Sequence, residues 1–189
     1  MLWIMVSTIG ALLILIVLLY IAMYNSLIYK RNMVKNAFSS IETYLKKRYD
    51  LIPNLVSAVK AYMEHESSIL TKIVELRSEA LQESQPDKKI AYDNEIAGMI
   101  RSIMVAVENY PVLKASDSFI SLQESLNVTE DQIAASRRAY NAAVLEYNNA
   151  VQMFPSNIIA MSMNFTTYKF IKIPEQERSN VHIDNLLKK

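Results

Sequence analysis

The sequence predicts an all-α protein: an up-and-down helical bundle of three to four long helices following an N-terminal transmembrane helix. Three observations carry this. Met1 to Tyr29 contain no charged side chain, and Trp3 to Met23 are apolar almost throughout; a hydrocarbon core of ~30 Å needs about 20 such residues. Only two glycines, Gly10 and Gly98, occur in 189 residues, whereas a β-rich or α/β domain would need many positions with φ > 0. Beyond the anchor, apolar residues recur at alternating steps of four and three, the period of a helix seam. We read 1–24 as the anchor, 25–165 as a helical bundle and 166–189 as a C-terminal tail.

The first element differs from a cleaved leader. No Lys or Arg precedes the apolar run, and Tyr20, Met23 and Tyr24 stand where a cleavage site needs small residues. A retained span is therefore expected. Lys30, Arg31 and Lys35 follow it, so the positive-inside rule sets the body in the cytoplasm and the N-terminus outside. Tyr20, Tyr24 and Tyr29 suit an interfacial aromatic belt and ordinary helix packing equally well.

The next stripe comprises Leu27, Arg31, Val34, Phe38, Ile41, Leu45, Arg48, Ile52, Leu55, Val59, Tyr62, Glu66, Ile69, Ile73, Leu76 and Ala80. It passes Pro53 without a slip. Either Asp50 caps a new helix with Pro53 in its first turn, or one helix runs to about residue 84 with a kink at Pro53. The unbroken register favours the kink, and such a helix reaches roughly 90 Å beyond Tyr24. Ser84-Gln85-Pro86-Asp87 reads as a turn. Ile96, Ile100, Ile103, Val107 and Tyr110 mark a shorter helix ending at Pro111. Phe119, Leu122, Leu126, Ile133, Tyr140, Val144, Tyr147, Val151 and Phe154 line a long one closed by Pro155, with Ser116 or Asp117 as its cap. Lys169 to Lys189 lack this period, as expected of a tail ordered only where it docks.

Little here points to catalysis. The 20 basic and 19 acidic side chains nearly cancel, so no basic field advertises nucleic acid as a partner. The absence of cysteine excludes disulfides, thiolate chemistry and thiolate-held metal. His65 and His182 have no metal-ligand spacing, and there is no P-loop, dinucleotide fingerprint, nucleophile elbow or Glu-x-x-His pair. The expectation is a protein that is not an enzyme and uses no cofactor or metal.

Two polar clusters remain. In the first, Arg48 sits on the apolar stripe, where an unpaired charge is costly, beside Asp50, Pro53 and Asn54. It reads as a kink held by a local ion pair, with Asn54 satisfying a backbone group freed by Pro53, in preference to a recognition surface. The second is Arg137, Tyr140 and Asn141 with Tyr147 and Asn148; both the tyrosines and the asparagines are seven apart and so share a helix face. A polar core layer locking helix register is favoured over a ligand site. The 11 tyrosines fit bundle seams and protein interfaces alike.

These residues resemble the LemA family. Arg48-Tyr49-Asp50-Leu51-Ile52-Pro53-Asn54-Leu55-Val56, followed by Val59-Lys60 and His65-Glu66, is similar to that family's most characteristic motif. Tyr110-Pro111-x-Leu113-Lys114-Ala115 is similar to a second. Phe119-x-x-Leu122-Gln123, Thr129-Glu130, Ile133, Arg137, Tyr140-Asn141, Val144, Tyr147-Asn148 and Phe154-Pro155-Ser156-Asn157 resemble a third block. The likeness runs from about Tyr24 to Phe165; Lys47 stands where arginine is common, and 82–98 match loosely. It implies an N-terminal anchor, a bundle usually described as four helices and no established enzymatic activity. It also implies membrane association, with genes often beside those of membrane metalloproteases and links to magnetosome formation. The expected role is a scaffold in the bacterial cytoplasmic membrane that forms a homo-oligomer or organises partners there. The alternatives are an adaptor for a membrane protease, docking through the tail or the Arg48–Asn54 region, and a bundle holding a small ligand around Arg137, Asn141 and Asn148.

Overall fold

The computed structural model describes residues 1–63 and 67–172. His65, Glu66, His182 and the tail beyond residue 172 lie outside the described residues. Among those described, every regular element is helical: α1 (Leu2–Lys60), α2 (Ser67–Gln82), α3 (Pro86–Val107), α4 (Pro111–Lys114), α5 (Asp117–Gln152) and α6 (Ser156–Ser162).

The apolar start of α1 is long enough and greasy enough to cross a membrane by length and composition, and its most apolar stretch is uncovered by the rest of the protein. The same helix continues into the body, with Leu27, Val34, Ile41, Leu45, Ile52, Leu55 and Val59 buried at the stripe positions. α5 returns antiparallel to it: Lys30 bonds Glu146 at 2.9 Å and Lys47 bonds Gln132 at 3.3 Å. α2 descends along α1, and α3 climbs again, with Lys89 bonded to Glu42 at 2.7 Å. The order is thus up, down, up, down. The ~54 Å of α1 beyond Tyr24 equals the length of the 36-residue α5. α2 and α3, at 16 and 22 residues, are too short to accompany them to the membrane end.

Pro53 lies inside α1, which runs past it without a break and ends at Lys60, not near residue 84. The seam period continues across the turn because α2 presents the same core face on its way back, so phase alone does not separate a hairpin from one long rod. Tyr62, on the stripe, is 42% exposed, and Met63 takes the buried place. The break that makes four long helices from three segments therefore falls after Lys60 and not at Pro53. The turn before Pro86 is present, with Pro86 opening α3. α3 stops at Val107, and Pro111 opens α4 instead of ending a helix. α5 starts after Ser116 with no side-chain cap bond and ends at Gln152, where Met153 turns to an extended conformation. That leaves Phe154 off the seam and 79% exposed.

Candidate functional site

Proline has no N–H, so Pro53 leaves the Tyr49 carbonyl without its helical donor. Arg77 Nε of α2 donates to that oxygen at 2.7 Å. The residue that fills the gap comes from the next helix and ties α2 to α1; Asn54, assigned this duty from the sequence, is exposed. Asp50 is exposed as well and pairs with Lys46 at 3.0 Å, one turn away. It is not the partner of Arg48.

Arg48 points the other way, into the bundle, and is 2% exposed. Its Nη1 donates to Asp93 Oδ1 of α3 at 2.7 Å, and its Nη2 faces Glu130 of α5. Arg137 of α5 donates from Nη2 to Asp93 Oδ2 at 2.8 Å and to Asn94 Oδ1 at 3.0 Å. One carboxylate with no exposed surface therefore bridges two buried guanidiniums from two other helices. Burial pushes the Asp93 carboxyl up from the usual carboxylate range, against the pull of Arg48 and Arg137. Burial also lowers the Arg48 pKa, while Asp93 acts to raise it. Tyr49, beside this layer, has its phenol pKa raised, by burial first and by Asp93 second. The expected local ion pair is thus a three-helix layer.

Asp93 escaped the sequence reading, although its position was informative. It continues the α3 stripe three residues before Ile96, as Arg48 continues that of α1 and Arg137 that of α5. Charges on apolar seams are costly singly, so a basic residue on one seam calls for an acidic one on another.

The second cluster acts on backbone. Asn148 Nδ2 donates to the Tyr168 carbonyl and Asn148 Oδ1 accepts the Tyr168 N–H, both at 2.9 Å. Asn141 does the same to Ile171, with both bonds at 2.9 Å. Each carboxamide satisfies one residue's N–H and C=O together, as a neighbouring strand would. The spacing explains the fit. Seven residues along a helix advance about 10.5 Å, and three along an extended chain advance about 10 Å. Tyr147 meets the Tyr168 ring edge-on at 5.3 Å, Tyr140 meets Phe38 at 5.8 Å, and the Tyr140 hydroxyl donates to the Lys169 carbonyl at 3.3 Å. Arg31 lies over the Phe165 ring at 5.1 Å. Residues 165–172 thus form a strap that covers the seam between α1 and α5 where the short α2–α3 hairpin does not reach.

Arg137, Asn141 and Asn148 therefore already bind groups of the chain itself. Beside them, an open groove of about 650 Å³ is lined by Val34, Phe38, Pro86, Tyr140 and Tyr168. Among the described residues no group of three or more His, Asp or Glu is placed to hold a metal.

These features define an all-α bundle built directly on an apolar N-terminal helix, pinned by a buried ion layer and by a strap that two asparagines hold through its backbone. Residues 37–184 match the sequence profile of the LemA family, and the chain belongs to that family. The match runs past Phe165 and takes in the strap. The chain is 26% identical to Protein LemA of Metamycoplasma hominis over 169 residues, 88% of this chain and 77% of that one. It is 23% identical to Magnetosome protein MamQ of Magnetospirillum gryphiswaldense, over 70% of this chain and 58% of the relative. It is 22% identical to Magnetosome protein MamQ 2 of Paramagnetospirillum magneticum, over 79% and 64%. The chain thus spans less than two thirds of either magnetosome protein. The apolar helix and these relatives together point to a membrane location.

Proposed function

We propose that this protein is a non-enzymatic, membrane-anchored scaffold. Its bundle self-associates or organises partners at the bacterial cytoplasmic membrane, with the N-terminus outside and the body in the cytoplasm. The observation that carries the reading is the continuity of α1 from the span into the core of the bundle. A helix without a break between anchor and body joins the bundle to the span with no flexible linker between them. The Arg48–Asp93–Arg137 layer holds three helices to one another, so the surface presented is rigid. Tethering also concentrates copies, and weak contacts between bodies then suffice for assembly. Light scattering on the detergent-solubilised full chain tests this: mass above one chain is expected, and a strict monomer at all concentrations discards self-assembly. For sidedness, Val112→Cys, near the far end of the bundle, should react with an impermeant maleimide only after cell lysis.

One observation favours a second reading, an adaptor for a membrane protease. The Asn141–Asn148 pair grips backbone and so tolerates many side chains in the segment it holds. The tail beyond the strap, rather than buried Arg48, is then the docking element. Recovery of a membrane protease with the full chain, lost on truncation after Lys172, supports that role; equal recovery from both removes it.

A further inference from the structure

Lys30 is the first charged residue of α1, and Glu146 is the last of α5. They bond to each other at 2.9 Å. Below that pair, Met1 to Tyr29 carry no charged side chain, and neither do Tyr147 to Tyr168. The second stretch includes the end of α5, the Met153–Pro155 corner and α6. Two uncharged segments, remote in sequence, therefore lie on the same side of one ion pair.

α6 is fastened there by one face. Ile159 and Ala160 are buried with Leu27, and Met23 and Tyr24 pack around them. Its other face is open, with Met161 74% and Ile158 61% exposed, and so is the corner before it, with Phe154 79% and Met153 61% exposed. Leu27 to Met23 lie roughly 5–10 Å along α1 from Lys30, toward the span, a distance comparable to the thickness of the polar interfacial layer that flanks the hydrocarbon. Asn149, Gln152, Ser156 and Ser162 are polar yet uncharged, a composition suited to that layer and not to the hydrocarbon centre.

We propose that the corner and α6 form a second membrane contact, a foot whose Phe154, Ile158 and Met161 enter the headgroup–acyl boundary of a phospholipid bilayer. A short helix lying in that plane buries its apolar face by about 5–10 Å, the depth at which α6 is pinned to α1. The occupant is lipid because α6 is fastened to α1 at Met23, Tyr24 and Leu27, at the body end of the uncovered apolar stretch that is long enough to cross a membrane. A single span leaves the bundle free to tilt and to rotate about its axis; a foot beside it removes both freedoms and turns one side of the bundle permanently toward the membrane.

The cysteine-free sequence makes the test direct. Phe154→Cys, Ile158→Cys and Met161→Cys are each made in the full chain, spin-labelled, and reconstituted in vesicles of phosphatidylethanolamine and phosphatidylglycerol. Val112→Cys, whose parent residue is 73% exposed at the other end of the bundle, is the aqueous control. Helix content is checked by circular dichroism, and any one of the three foot positions that folds is informative. The ratio of collisions with dissolved oxygen to collisions with a water-soluble nickel chelate is expected to rise several-fold over the control at the foot. A ratio equal to that of the control places the foot in water and overturns the proposal. Shielding from both reagents means that another protein surface covers it, and overturns the proposal equally.

Discussion

Replacing Asp93 by Asn keeps the shape of the side chain and removes its charge. Both guanidiniums then lose the carboxylate that each contacts at 2.7–2.8 Å. An amide also turns a donor toward one of them. Arg48 retains Glu130, which is 48% exposed and therefore well screened, and Arg137 retains the neutral Asn94 oxygen. Removing one partner of a buried pair costs about 3–5 kcal/mol, a large part of a typical domain's 5–15 kcal/mol. At about 2–4 °C per kcal/mol for a body of this size, Tm should fall by roughly 6–20 °C. The assay is thermal unfolding of the full chain in detergent, followed by circular dichroism, since the bundle melts while the span stays helical in the micelle. A second variant separates charge from packing. Arg48→Met, Asp93→Leu and Arg137→Met together should regain most of the loss, because a buried ion cluster replaced as a whole by apolar groups is often no less stable. A Tm for Asp93→Asn within about 2 °C of the parent, under 1 kcal/mol on the same scale, would refute the view that this layer locks the bundle.

Other consequences are narrower. Arg77→Leu strands the Tyr49 carbonyl at a cost of about 1–3 kcal/mol; in a Pro53→Ala background, where residue 53 regains its N–H, the same change should cost less, and a urea double-mutant cycle reads the difference. Asn148→Leu should speed hydrogen exchange at the Tyr168 amide, and Asn141→Leu at the Ile171 amide, each losing two bonds or about 1–3 kcal/mol of strap binding; loss of protection at neither site refutes the clamp. Burial raises the phenol pKa of Tyr49, Tyr140 and Tyr147. The folded state therefore holds these protons more tightly than the unfolded one, so their contribution to stability is complete below about pH 10 and is lost as pH rises beyond it. Alkaline titration should show tyrosinate absorbance from these residues appearing together with loss of helix; free ionisation in an intact bundle contradicts it.

Much of this was legible from the chain. Twenty-nine uncharged residues at the start determine a greasy helix whatever follows, because local composition alone sets the transfer energy. The seam residues of α1 and α5 were likewise readable, since helical period is a local property. Arg48 drew notice as a charge on an apolar stripe and Arg137 as part of a polar layer, but their meeting at Asp93 did not. Which face meets which depends on where the chain reverses, and the reversal after Lys60 preserves the phase of the pattern. Asn141 and Asn148 showed their shared face in sequence; that face receives a segment twenty to thirty residues downstream only because α2 and α3 stop short and leave the α1–α5 seam bare. Period and polarity act within a few turns and belong to the sequence. Pairing across helices depends on relative lengths and on the points of return, and these the tertiary structure alone decides.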